Sequence, residues 1–70
     1  MTQVKSQISG TVWQILVEVG QAVEEDDDLL ILESMKMEIP VSAPHSGTVK
    51  EIKAQPNQPV QEGDVLLVIE

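Results

Sequence analysis

Ser9-Gly10-Thr11-Val12-Trp13-Gln14-Ile15-Leu16-Val17 and Ser46-Gly47-Thr48-Val49-Lys50-Glu51-Ile52-Lys53-Ala54 are two copies of one pattern. The match runs without a gap from Ser9–Glu33 to Ser46–Glu70 at a constant offset of 37, and 12 of those 25 positions are identical. Shared composition alone gives far fewer identities. The frame extends back to Val4 and Val41, so the chain reads as 4–33 repeated as 41–70, with Ser34 to Pro40 between. Two copies are too few for a solenoid, which needs at least about three stacked units. The simplest way for such a unit to complete its core is to pair with its twin about a pseudo-twofold axis.

The units read as strands. Val, Ile and Thr are frequent, the apolar stretches are short, and Gly, Pro, Asn and Asp punctuate them. No helical spacing is sustained, and Pro40, Pro44, Pro56 and Pro59 would break a helix in the second half. Comparing the copies shows which side chains face inward. Val12/Val49, Ile15/Ile52 and Val17/Ala54 are apolar in both, whereas Trp13/Lys50, Gln14/Glu51 and Leu16/Lys53 are not. The inward spacing is three and then two, which breaks strict alternation and predicts a bulge near Trp13–Gln14 and again near Lys50–Glu51. Gly20/Asn57 and Asp26/Gly63 are residue types that tolerate positive φ, so both pairs are expected in turns. Leu29 to Leu32 and Leu66 to Ile69 are continuous apolar runs, as expected of strands covered on both faces. The expected architecture is a small all-β domain of six to eight strands, either a flattened barrel or two packed sheets. Closure of the barrel would protect the strand edges.

Composition narrows the function. A chain of 70 residues is a single domain with a small core. It has no cysteine and one histidine, which excludes disulfides, thiolate chemistry and multi-histidine metal sites. Four lysines against 12 acids leave a net charge of −8, which argues against nucleic-acid binding and against docking on anionic membranes. No apolar run is long enough to span a bilayer, and the N-terminus shows no secretory pattern, so the cytoplasm is the expected compartment.

The connector is Ser34-Met35-Lys36-Met37-Glu38-Ile39-Pro40. An apolar strand runs into it and another leaves it, so it reads as a hairpin with Lys36 at or near the tip and Met35 and Met37 beside it. A lysine on a tight turn stands clear of the fold, where another enzyme's active site can surround it. Once acylated, it would become a flexible tether on a rigid handle, visiting separate active sites at high effective concentration. A solvated lysine is an ammonium ion at neutral pH, so the acylating enzyme must remove the proton. The plainer reading of an arbitrary Met-Lys-Met is a solubilising turn lysine with methionines as packing. Its place at the centre of an internal repeat favours the tether.

Glu33-Ser34-Met35-Lys36-Met37-Glu38-Ile39 resembles the attachment motif of biotinyl domains, usually Glu-Ala-Met-Lys-Met. Ala43-Pro44-His45-Ser46-Gly47-Thr48-Val49 and Gly63-Asp64-Val65-Leu66 resemble the same family. The resemblance covers essentially the whole chain and points to single-domain biotin/lipoyl attachment proteins, similar to the biotinyl domain of biotin carboxyl carrier protein. It implies two four-stranded antiparallel sheets related by a pseudo-twofold, in one domain over residues 1–70. It implies that a biotin protein ligase acylates Lys36, that Met35 and Met37 favour biotin, and that Glu33 helps select the modifying enzyme. Biotin would then carry carboxyl groups between a biotin carboxylase and a carboxyltransferase. The alternative is lipoate on the same lysine, placed there by a lipoate ligase, or a dual acceptor that takes either group. Lipoyl domains usually carry Asp-Lys-Ala, so the methionines favour biotin.

Some residues depart from the family pattern. Ser34 replaces the usual alanine, Asp26 stands where glycine often does, and Lys5-Ser6-Gln7-Ile8 stands where an Ala-Pro pair is common. Neither a thumb insertion nor an Ala/Pro-rich linker is present, so a free-standing carrier is expected, and it is expected to be a monomer. The run Glu24 to Asp28 reads as a solvated turn or as a steering patch for a basic partner surface. Trp13 and Leu16 face outward, either beneath a loop or as a patch for a partner. His45 reads as a plain turn residue. Nothing here assembles a catalytic site, so the chain is expected not to be an enzyme. A reading of another class is an unmodified structural barrel.

Overall fold

A computed structural model describes all of residues 1–70. Eight strands follow one another: β1 (Thr2–Lys5), β2 (Gly10–Ile15), β3 (Ala22–Val23), β4 (Asp28–Ser34), β5 (Met37–Ser42), β6 (Gly47–Ile52), β7 (Pro59–Val60) and β8 (Val65–Ile69). They form two four-stranded sheets, ordered β1-β8-β6-β3 and β5-β4-β2-β7, and every pairing is antiparallel. The offset of 37 maps β1–β4 onto β5–β8 and so exchanges the sheets. The registers obey it: Val4↔Leu67 is the image of Val41↔Leu30, and Thr2↔Ile69 is the image of Ile39↔Leu32.

The register of β2 against β4 shifts between Val12 and Gln14, and that of β6 against β8 shifts between Val49 and Glu51. Both expected bulges are present. Val12, Val17, Val49 and Ala54 are buried, and Ile15 and Ile52 pack against them, while Trp13 and Leu16 point to solvent. The apolar runs are the central strands. Leu66 to Ile69 are all buried, whereas Ile31 breaks the run of Leu29 to Leu32 by lying half-exposed on the outer face.

The turns explain identities that the repeat leaves unexplained. The Gln21 amide donates to the Glu18 carbonyl (3.1 Å), and Gln21 Oε1 accepts from the Glu18 amide (3.1 Å). Gln58 and Gln55 repeat this at 3.1 and 3.0 Å. In the acidic run, the Asp27 carboxylate accepts from the Glu24 amide (2.9 Å), as Asp64 does from Gln61 (2.9 Å). Part of that charge is therefore structural, because each carboxylate closes its own turn. Gly20, Asn57, Asp26 and Gly63 all have positive φ, as their residue types suggest.

The turns also cross between the halves. The Asp26 amide donates to the Ala43 carbonyl (2.9 Å) and the Gly63 amide to the Ser6 carbonyl (2.8 Å). Ser6, buried where its twin is Ala43, keeps its hydroxyl satisfied by donating to the Ile8 carbonyl (2.6 Å). His45 is more than a turn residue. Its Nδ1 donates to the Ser46 carbonyl (2.7 Å) and its Nε2 lies 2.7 Å from Thr2 Oγ1, tying β1 to the turn before β6.

One expectation changes in form. The sheets remain separate, so closure does not remove the edges; β1, β3, β5 and β7 are all edge strands. Their protection is local. β3 and β7 are two residues long, β5 carries Pro40, and β1 ends in Lys5. No helix is long and apolar enough to cross a membrane.

Gly10 and Gly47 sit where strands meet most closely. A Cβ on Gly10 would lie 2.6 Å from the Glu33 carbonyl oxygen, and one on Gly47 would meet the Glu70 carbonyl oxygen. Gly47→Ala is expected to lower stability by about 1–3 kcal/mol, read from the midpoint of urea unfolding. Asp26→Gly, which installs the residue its twin already carries at φ 93°, is expected to raise stability by about 1 kcal/mol in the same measurement.

Candidate functional site

β4 and β5 form a hairpin closed by the pair Ser34↔Met37, leaving a two-residue loop, Met35-Lys36. The turn is tighter than the seven-residue connector suggests, because both strands extend into it. Glu38 to Pro40 belong to β5, and Pro40 is accommodated because β5 is an edge strand. Met35 and Lys36 have φ of 52° and 65°. Two successive positive φ values mark the type I′ geometry that suits the twist of a two-residue hairpin. Asn-Gly is the usual choice there, and neither residue present is a good one for it. The loop therefore carries backbone strain at the position of Lys36.

The tip is open to solvent. Met35 is 92% exposed, Met37 is 63% exposed, and Lys36 between them is exposed. Lys36 Nζ has no carboxylate partner; the ion pairs of the structure are Lys50–Glu70 and Lys53–Glu51, each at 3.7 Å. Glu33 lies one pair behind the tip, directly across from Glu38 and beside Thr11. These carboxylates share the outer face of the sheet without a cation to offset them, a mildly destabilising pair. The structure thus brings Glu33, Met35, Lys36 and Met37 together on one hairpin end.

Ser34 adds a contact that its sequence position does not announce. Its hydroxyl donates to the Ser9 carbonyl (3.0 Å), tying the hairpin base to the segment before β2. The alanine usual at this place could not make that bond. No three His, Asp or Glu side chains converge in a way that would hold a metal ion. The arrangement offers a single chemical handle, a free primary amine on a strained tip above a well-packed double sheet.

The family of biotin-requiring enzymes, the biotin/lipoyl family, matches residues 2–69, and the chain belongs to it. The chain is 48% identical over 40 residues to a biotin/lipoyl attachment protein of Bacillus subtilis, a match covering 57% of this chain and 55% of that protein. It is 45% identical over 42 residues to the gamma subunit of methylmalonyl-CoA decarboxylase from Veillonella parvula, covering 60% of this chain and 33% of that one. The chain thus spans about half or less of these relatives. Among solved structures, the urea carboxylase of Kluyveromyces lactis superposes with a TM-score of 0.93 at 35% identity, covering 99% of this chain and 6% of that one. The resemblance of the attachment motif and the two-sheet architecture agree with this membership.

Met35→Asn, which places a residue tolerant of positive φ in the loop, is expected to raise stability by about 0.5–1 kcal/mol, measured by thermal or urea unfolding.

Proposed function

We propose that the chain is a biotin carrier whose attachment point is Lys36. The observation that carries this reading is the two-residue tip, which holds the Lys36 amine in solvent and free of any ion pair. The residues fit the group: an amine bound to a carboxylate would need that contact broken before acylation, and a buried amine could not enter another protein's active site. Family membership supports the same reading.

In this reading a biotin protein ligase presents biotinyl-adenylate to the tip. The Lys36 ammonium would lose one proton to become a nucleophile and a second as Nζ bonds to the acyl carbon and the acyl–phosphate bond breaks, releasing AMP. Met35 and Met37 give the ligase flexible apolar contacts on either side of the amine. Glu33, one strand pair behind the tip, contributes to the choice of modifying enzyme. Once attached, biotin supplies the carboxyl-carrying chemistry, as cofactors do for hard steps. The chain itself contributes reach and restraint. Its core keeps the hairpin on a rigid body, and the extended lysine lets the group serve a biotin carboxylase and a carboxyltransferase in turn. In this role it is a monomeric cytoplasmic carrier, not an enzyme.

A lipoyl carrier is the second reading, favoured by the Bacillus relative's description as a biotin/lipoyl attachment protein. The intact mass of the chain after co-expression with a biotin ligase or with a lipoate ligase separates the two. One biotinyl increment, lost in Lys36→Ala, is the expected result. A lipoyl increment instead would move the function to acyl transfer, and no increment with either ligase would leave a structural barrel. Lys36→Ala should leave stability within about 0.5 kcal/mol of the parent, because an exposed side chain contributes little.

A further inference from the structure

The internal twofold supplies a control for every surface position. Trp13 and Leu16 protrude from the sheet that contains β4, 45% and 41% exposed. Their images on the other sheet are Lys50 and Lys53, so the fold requires an apolar residue at neither place. Beside Trp13 the cross-strand row Gln14–Ile31–Pro40 continues the surface, whereas the matching row opposite is Glu51–Val68–Gln3. Carboxylates bound this apolar strip at both ends, with Glu33 and Glu38 toward the hairpin and Asp28 with the turn Glu24–Asp27 at the far side. Lys5, Lys50 and Lys53 all lie on or beside the other sheet, so Lys36 is the one base that adjoins the face.

Trp13 sits between the pairs Val12↔Leu32 and Gln14↔Ile31. About three residues of β4, roughly 10 Å, separate that level from the hairpin tip. We propose that this face is the docking surface for the enzyme that acylates Lys36, and that this enzyme offers an apolar recess rimmed by Lys and Arg. The inference rests on the carrier reading. Unmodified Lys36 reaches an active site only on its own four-carbon stem, so the acylating enzyme must seat against the protein within that distance. Enzymes that act later meet the attached group at the end of a longer tether, so their seat against the protein is less tightly constrained. An exposed Trp within an acidic rim has the composition of an interface anchor, with the charges steering approach.

The test is steady-state biotin transfer by a biotin protein ligase, with biotin and ATP, to the parent chain and to two double variants. Trp13→Lys/Leu16→Lys places on this face the residues that the twin sites already hold. Trp13→Ala/Leu16→Ala removes the apolar groups without changing charge. Unfolding midpoints establish that both are folded. Both are expected to raise KM for the carrier by about tenfold or more with kcat little changed, and added NaCl to raise the parent's KM. Lys50→Ala/Lys53→Ala, on the opposite face, is expected to leave KM unchanged. An unchanged KM in the Trp13/Leu16 variants overturns the docking surface alone. An equal rise in the Lys50/Lys53 variant overturns it as well. Absence of transfer to the parent overturns the carrier reading and this proposal with it.

Discussion

Each half of the chain supplies the two central strands of one sheet and both edge strands of the other. β2 and β4 are flanked by β5 and β7, and β6 and β8 are flanked by β1 and β3. Neither half can therefore complete a sheet alone. The core mirrors this, because Leu30 and Leu32 from one half meet Leu67 and Ile69 from the other in a single cluster. Backbone bonds from the turns at Asp26 and Gly63 to the opposite half complete the interlock. The small size of the domain makes such sharing necessary, since a half-length unit would leave most of its apolar surface in water.

The interlock determines how the Lys36 hairpin is held. The hairpin that crosses from the first half to the second joins two strands already paired along their length, so its tip inherits the rigidity of the sheet. Ser34 braces its base through the Ser9 carbonyl. The strain in Met35 and Lys36 is local and is sustained by the pairs behind it. A looser glycine-containing turn would relieve that strain, but it would also let the amine wander. The Lys36 side chain thus combines a rigid base with a freely solvated end.

Much of this was legible in the sequence because the duplication shows each position twice. Val12 with Val49 marked the interior, Trp13 with Lys50 marked the outside, and the shared spacing located both bulges. What escaped reading depends on partners distant in the chain. The identities of Gln21 with Gln58 and Asp27 with Asp64 were visible, but their role in closing turns depends on side-chain geometry that local pattern does not carry. The contact of His45 with Thr2 joins residues 43 positions apart. The two-residue loop escaped because Met and Lys are poor signals for positive φ. The open edges escaped because strand order, unlike strand existence, leaves little trace in local pattern. At the site, Lys36 and its flanks were read from the motif, whereas the bond from Ser34 was not.

The twofold that relates the sheets carries β4 and β5 onto β8 and β1, and the pair Ile39↔Leu32 onto Thr2↔Ile69. Where one pair of strands turns over into the loop that holds Lys36, its image is two parted strands. Segments joined to the chain before Thr2 or after Ile69 would emerge from that image and not from the loop. A symmetric scaffold thus gives a directional object, with the Lys36 loop at one corner and the parted strands that end at Thr2 and Ile69 at its counterpart.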